Sequence, residues 1–280
     1  MSNESLQRAR DNQNDEFYTR YEDIEKEVSI YRDHFANKSV YLPCDGETSE
    51  FWRYFVDHFE DLNLKSVARS SYNKDGRGHM EIFDGKITIE GDLFDDGSLD
   101  GPSVALHIQR SDIIVTNPPF SRFRDFMAVV LKSGKEFLVV GPIHATTYRD
   151  IFPFIRDRII WPGVTKVSQF STPTGETRRM GNVIWYTNID HAYRHIPVVA
   201  KKTYQGHENE YPVYDNYYGI EVSSWTNLPN DYEGIMGVPV TAISKITPEQ
   251  FDIIDKRRDL YLYGVQKFER LLIKWRTTHE

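Results

Sequence analysis

Two unbroken apolar runs, Asp112–Thr116 (DIIVT) and Glu136–Gly141 (EFLVVG), constrain this chain more than any other feature. A strand with one wet face alternates polar and apolar side chains. A continuous run instead fits a strand covered by helices on both faces, and hence a mainly parallel sheet. Further β-rich runs at Lys38–Cys44, Lys65–Ser70, Lys86–Glu90, Val164–Phe170 and Asn182–Thr187 bring the expected strands to seven. Helical spacing over residues 15–35, Ser49–Leu62, Arg122–Lys132 and Thr147–Arg158 supplies the covering layers. The order predicts an α/β fold with a doubly wound, seven-stranded, mainly parallel sheet that closes in a hairpin. Ligands of such sheets bind beyond the C-terminal strand ends, so the residues after Cys44, Glu90 and Thr116 are expected to converge.

Residues 1–14 are polar and patternless, and read as a flexible tail ahead of a sheet domain over 15–189. From 190 to 280 the chain changes character and reads as an α+β extension, rich in Tyr, Pro and Gly up to residue 246. Thr247-Pro248-Glu249-Gln250 has the residues of a helix start, with a helix expected through Ile254 and another over Leu262–Trp275. The 280 residues contain one cysteine, Cys44, which excludes an internal disulfide framework and a thiolate zinc cluster. There is no apolar run of about 18 residues and no apolar signal-peptide core, so no membrane span, no secretion and a reducing cytoplasm are expected. The net charge of −8 is unevenly spread. Residues 1–100 hold 12 basic against 23 acidic side chains, net −11, whereas 144–202 hold 9 against 4, net +5. A basic stretch beside an acidic half suits a protein that grips a polyanion with one face.

The sharpest chemical signal is Asn117-Pro118-Pro119-Phe120, directly after DIIVT. Both prolines lack an N–H and hold φ near −65°, so the loop is stiff and its carbonyls are presented in fixed positions. Such a corner suits methyl transfer to an exocyclic amine, a poor nucleophile because its lone pair is delocalised into the ring. The side-chain oxygen of Asn117 and the backbone oxygen of Pro118 can each accept one amino hydrogen, drawing the nitrogen toward a tetrahedral form. Phe120 offers a flat face for an extruded base. Positioning and electrostatics then do most of the work.

The tetrapeptide resembles the catalytic motif of amino-group methyltransferases that use S-adenosylmethionine, whose acceptors include adenine, cytosine and the amide of glutamine. The resemblance widens to the EcoRI-type adenine-specific DNA modification methylases. It runs through NDEFYT (Asn14–Thr19), VYLPCDGETSEFWRYF (Val40–Phe55), EFLVVGP (Glu136–Pro142) and GNVIWYTN (Gly181–Asn188). YDNYYGIEVS (Tyr214–Ser223) and DYEGIMGVPVT (Asp231–Thr241) extend it, so that it spans about residues 14 to 255. The later segments matter most, because a general methyltransferase fold would not supply them. The resemblance implies a Rossmann-like catalytic domain over 15–189, a DNA-recognition module over 190–280, S-adenosylmethionine as cofactor and double-stranded DNA as substrate.

Carried over by position, Pro43, Cys44, Asp45 and Gly46 would hold the methionine end of the cofactor. Leu42 stands where many methyltransferases place an acidic residue, and of the usual two or three glycines only Gly46 remains. Asp45 would then supply the carboxylate from a shifted position. Phe17, Tyr18 and Thr19 match the segment that closes over the cofactor. Asp92 matches the residue that accepts a hydrogen bond from the cofactor's adenine amine, with Leu93 and Phe94 in the same stretch, while Asp95 and Asp96 are expected to face water. For the ribose hydroxyls, the segment after the second strand offers only Tyr72, Asn73 and Asp75. Asn117 would border both cofactor and target.

Arg178 and Arg179, with Arg149 and Lys166 of the same basic stretch, are candidates for phosphate or base-edge contact, against the plainer reading of solvated loop cations. A duplex substrate implies that the adenine is flipped out of the stack to reach Phe120. The family further implies a monomer in a bacterial or phage-encoded setting, as an orphan methylase or beside a cognate restriction endonuclease that shares its site without forming a complex. Two other readings compete. One is methylation of RNA adenine or of a protein glutamine amide, although nothing here resembles an aromatic RNP motif. The other is a catalytically silent DNA-binding relative, supported only by the degenerate cofactor turn.

Overall fold

The computed structural model describes residues 18–172 and 176–276, so the expected tail over 1–14 and the candidate Phe17 lie outside the described residues. The chain divides into two compact units: Met1–Ala145 with Pro162–Ile189, and Thr146–Trp161 with Asp190–Glu280. Among the described residues, no helix is long and apolar enough to cross a membrane.

The first unit is mixed α/β. Its centre is four parallel strands: β2 (Ser39–Pro43), β3 (Ser66–Ser71), β6 (Ile113–Thr116) and β7 (Glu136–Pro142). Antiparallel strands extend both edges. On one side are β4 (His79–Phe83) and β5 (Thr88–Asp92), and on the other β11 (Val183–Thr187). With the two-residue β8 (Trp161–Pro162) the order is β5-β4-β3-β2-β6-β7-β11-β8. The sheet thus has eight strands instead of the expected seven, and is mixed more than mainly parallel. Six of the seven expected runs lie in it, and the added strands are the two-residue β8 and β4, the latter half-buried throughout and without an apolar run to read.

Alternate residues of the central strands go to opposite faces. Val40, Leu42, Ile113 and Val115 join one core with Ile24 and Val28 of α1 (Tyr21–Val28) and Phe51 and Phe55 of α2 (Glu50–Asp57). On the other face Tyr41 meets His107 of α3 (Pro102–Arg110), with ring centroids 5.6 Å apart. There too, Phe123 of α4 (Phe123–Ser133) packs on Tyr186 of β11 at 5.2 Å. Ser49 caps α2, accepting from the backbone N–H of Phe51 at 3.1 Å and of Trp52 at 3.4 Å.

A second, three-stranded sheet joins β1 (Tyr18–Thr19), β9 (Gln169–Ser171) and β10 (Thr177–Arg179). Only the end of the run Val164–Phe170 is therefore strand, and it leaves the large sheet. Its first residues are held by a buried carboxylate instead. Glu27 accepts from Val164 N–H at 2.9 Å, from the N–H and hydroxyl of Thr165 at 2.6 Å each, and from Tyr31 hydroxyl at 2.9 Å. Burial raises the Glu27 carboxyl above its usual range, and these donors oppose that shift.

In the second unit, the expected helix Thr147–Arg158 is reduced to α5 (Phe152–Arg156), which carries Pro153 in its first turn. The two helices expected after Thr247 are absent. Thr247 closes a single turn, its carbonyl accepting from Gln250 N–H at 3.3 Å and Phe251 N–H at 3.1 Å, and the chain then becomes a strand. β12 (Ile220–Glu221), β13 (Met236–Pro239), β17 (Arg270–Trp275) and β14 (Phe251–Arg257) form a four-stranded sheet in that order. The extension is thus mainly β and irregular. Within it, Glu221 and Arg270 form a buried ion pair at 2.7 Å.

Gly141 of β7 lies against Phe123, and an added Cβ would stand 2.0 Å from the buried ring. Gly141→Ala should cost about 1–3 kcal/mol through overpacking. Calorimetry should show a thermal midpoint several degrees lower.

Candidate active site

The site begins where two adjacent parallel strands end. The hydroxyl of Thr116, last residue of β6, donates to the carbonyl of Pro43, last residue of β2. The two turns that follow, Cys44–Gly46 and Asn117–Phe120, are therefore tied at their roots. Both line one cleft of about 1640 Å³ in the first unit.

Cys44 turns the chain with φ at +62°, a left-handed conformation unusual outside glycine and asparagine. The strain is held by neighbours: Asp45 N–H donates to Ser70 carbonyl at 2.8 Å, and Ser49 N–H to Gly46 carbonyl at 3.1 Å. Arg69 of β3 adds a brace. Its guanidinium donates to Gly46 carbonyl, pairs with Glu81 of β4 and lies over the Trp52 ring at 4.9 Å. Asp45 is 6% exposed, and its Oδ2 has no hydrogen-bond partner among the described residues. Burial pushes the carboxyl up to about 7, against the opposing effects of Ser49, Arg69 and the Trp52 backbone.

On the other lip, Pro119 holds φ at −52°, and its carbonyl accepts Arg122 N–H at 2.9 Å, closing a short turn over Phe120–Arg122. Phe120 meets Phe170 of β9 edge to face, centroids 6.4 Å apart. Arg122 donates to Asp100 at 3.2 Å and lies 3.6 Å from Asp125 in the first turn of α4, fastening this lip to the 96–100 loop.

Of the residues singled out from sequence, Tyr18, Thr19, Cys44, Asp45, Gly46, Asn117, Pro118, Pro119 and Phe120 line the cleft. The Thr19 Oγ1 is buried there without a hydrogen-bond partner among the described residues. Pro43 is buried beneath the turn. Asp92, Leu93 and Phe94 do not line the cleft. Asp92 is exposed beside His79 at 3.9 Å, Leu93 points into the core, and Phe94 is 61% exposed. Arg178 and Arg179 are exposed on β10, paired through β9 with the strand that carries Thr19. Lys166 is exposed in the same unit, and Arg149 is exposed in the other.

Sequence reasoning missed Asp96–Asp100, Lys74 and Arg122, which also line the cleft together with Tyr72, Asn73 and Asp75. Asp95 and Asp96, expected to face water, do other things. Asp95 accepts from Ser103 N–H at 2.8 Å at the start of α3, and Asp96 faces the cleft. The return of this loop depends on Gly97, at φ +74°, where a Cβ would lie 2.5 Å from the Ser71 carbonyl. The pair of flanking acids and glycines in GDLFDDGSLDG was the available signal.

A mixed sheet with an amide–diproline corner at the end of a central strand, facing a strained turn across one cleft, fits an α/β methyltransferase. The sequence model of a family described as adenine-specific methyltransferase EcoRI matches residues 5–91 and 76–277. Type II methyltransferase M.EcoRI of Escherichia coli is 36% identical, the alignment covering 98% of this chain and 97% of that protein. M.MpnI of Mycoplasma pneumoniae is 35% identical over 89% of this chain and 84% of its own length. M.MgeORF184P of Mycoplasma genitalium is 31% identical with the same coverage. No solved structure matches. The chain belongs to the EcoRI-type adenine-specific methyltransferase family, and it is a DNA methyltransferase of the Type II class.

An unfolded aspartate titrates near 3.9, whereas Asp45 in the folded cleft titrates at about 7. The fold therefore binds this proton more tightly. Its contribution to stability is full below the unfolded value and lost as pH rises through about 7. Asp45→Asn should raise the thermal midpoint of the ligand-free protein above neutral pH and flatten the decline between about pH 4 and 7. A midpoint-versus-pH profile identical to that of the parent would show that Asp45 ionises as an exposed carboxyl does.

Proposed function

We propose that this enzyme methylates the N6 amine of adenine at a specific site in duplex DNA, with S-adenosylmethionine as donor. The observation that carries this reading is that the Asn117–Phe120 corner and the buried Asp45 border one cleft, with their strands tied by Thr116 and Pro43. The cleft fits the donor on two counts. The unpartnered Oδ2 of Asp45 is a buried acceptor that matches an ammonium group, and the Thr19 Oγ1 is a second buried polar atom without a partner. Asp45, Cys44 and Gly46 would hold the methionine end, with Tyr18 and Thr19 closing over it. Asn73 and Asp75 are the cleft residues available to the ribose hydroxyls. Asp96, which lines the cleft where Asp92 does not, is the residue we assign to the adenine end. When bound, the sulfonium supplies an electrophilic methyl group.

The protein's part is positioning. Asn117 Oδ1 and the Pro118 carbonyl accept the two amine hydrogens of a flipped adenine, and the Phe120 ring takes its face. Pro119 and the Arg122–Asp100 contact keep these acceptors from relaxing. Phe170 supports Phe120 from behind, so its ring does not turn with the base. No strong acid or base is required, because the amine needs only a shift of electron density and an in-line approach.

Arg178 and Arg179 are assigned to the DNA backbone, and the second unit is assigned to site recognition. The large mixed sheet is taken as a variant of the doubly wound methyltransferase sheet with a widened antiparallel edge. The protein is read as a cytoplasmic monomer of a bacterium or phage, in a restriction–modification pair or as an orphan. Methylation of RNA or of protein glutamine finds no separate support in the cleft. A silent relative is disfavoured by the buried Asp45 carboxyl, whose Oδ2 has no partner among the described residues.

Transfer of labelled methyl to duplex DNA, followed by nucleoside analysis, should yield N6-methyladenine. Label confined to RNA or protein would refute the assignment. Asn117→Ala should reduce the transfer rate about a hundredfold or more while leaving calorimetric binding of S-adenosylmethionine nearly intact. A parallel loss of donor binding would place Asn117 elsewhere in the reaction. Replacing Arg178 and Arg179 together by alanine should weaken duplex binding and flatten the slope of log affinity against log salt by about 1 per phosphate contact removed.

A further inference from the structure

The second unit carries an exposed aromatic surface that the methyl-transfer cleft does not use. The hairpin β15 (Tyr261–Leu262) and β16 (Val265–Gln266) has Tyr263-Gly264 at its tip, with φ of 53° and 75°. Two positive φ values are what a type I′ turn needs, and Asn-Gly is the usual pair for it. A tyrosine in the first position is held there at a cost in backbone strain. Asp215 offsets the strain: its Oδ1 accepts Tyr263 N–H at 3.1 Å, and its Oδ2 accepts Gly264 N–H at 2.7 Å. Asn216 accepts from Tyr261 N–H at 3.1 Å, and at the base Leu260 and Leu262 are buried against Tyr214 and Leu272.

This rigid hairpin offers rings to solvent. Tyr263 is 83% exposed, Phe268 just beyond the hairpin 89%, and Tyr218 in the loop that supplies the Asp215 brace 89%. Exposed aromatics on a braced turn and in the segments next to it mark an interaction surface. The surrounding charge favours a polyanion. Lys267 and Lys274 have no ion pair among the described residues, and the exposed Arg258 has Glu269 as its partner, while Arg257, Arg270 and Arg276 are engaged by Asp259, Glu221 and Asp252.

We infer that the β15–β16 hairpin is an aromatic wedge for duplex DNA, with Tyr263 and Phe268 stacking on bases from a groove while nearby cations face phosphates. This deepens the reading of the enzyme as a DNA methylase, and names a surface that engages the duplex. The Asp215 carboxylate occupies the backbone donors of the tip, so recognition there falls to the rings.

The test is fluorescence anisotropy of the full-length protein on a labelled mixed-sequence duplex over a range of salt. Tyr263→Asn removes the ring and installs the preferred turn residue, so the hairpin is kept. Combined with Phe268→Ala it should weaken binding about tenfold or more, with the salt slope unchanged because no phosphate contact is lost. Tyr263→Phe should bind as the parent does. An unchanged Kd in the double variant overturns the wedge. So does light scattering that shows a dimer lost at unchanged Kd, which would assign the rings to a second copy. Methyl transfer, assayed separately, keeps the two readings apart. Ring-dependent binding without N6-methyladenine defeats the methylase reading alone, and ring-independent binding by an active enzyme defeats the wedge alone.

Discussion

The hydroxyl of Thr116 donating to the carbonyl of Pro43 is the contact on which the arrangement of the cleft rests. It joins the ends of β2 and β6, which are already in parallel register through Val40 opposite Ile113 and Tyr41 opposite Ile114. With the strand ends locked, the chain leaves β2 by a left-handed residue at Cys44 and leaves β6 through two prolines. Neither loop has much freedom to relax away from the other. The remaining ties are secondary. Arg69 carries the Gly46 carbonyl on a guanidinium that is itself pinned by Glu81 and Trp52, and Arg122 holds the opposite lip to Asp100. A pocket built this way keeps its polar groups aimed before anything enters, which is the condition for electrostatic preorganisation.

That rigidity explains why Asp45 stays buried with an unpartnered oxygen. A flexible turn would rotate the carboxylate into water or against Arg69. Here the Asp45 N–H is fixed on Ser70, and the side chain accepts from Ser49, the residue that also caps α2. The strain at Cys44 and the desolvation of Asp45 are neighbouring costs, and both are held in place by the parallel sheet beneath them. Local expense concentrated at one turn, with regular structure around it, is the pattern expected of a binding turn.

The sequence was most legible where burial and periodicity agree. β6 and β7 were found to within a residue because their apolar runs admit no other placement, and the corner at Asn117 follows from β6 alone. β4 was hidden because its residues are only half-buried. With β4 unread, the run Lys86–Glu90 led to Asp92, which does not line the cleft. The loop that does border the cleft, Asp96–Asp100, returns through glycines whose geometry no periodicity marks. At the C-terminal end, Thr247 and Gln250 signal a helix start and do make one turn, after which FDIIDKR pairs with RLLIKW as strands. The apolar spacing over 262–275 that suggested a helix is cut by the positive φ values at Tyr263 and Gly264.

Five described non-glycine residues adopt positive φ: Asn37, Cys44, Asn63, Arg158 and Tyr263. For asparagine the conformation is inexpensive, since its short polar side chain tolerates it. The other three need support from outside their own turn, and each of them has it. Arg158 anchors its side chain on the Phe251 carbonyl and Asp252. Cys44 leans on the central strand β3 through the Asp45 N–H and the Ser70 carbonyl. Tyr263 is the least expected, because glycine or asparagine at that position would form the same hairpin without strain. A fold that needed only the turn would have no use for a ring there. The tyrosine must therefore be explained by what its exposed side chain meets, and the two carboxylate oxygens of Asp215 are the means by which the backbone tolerates it.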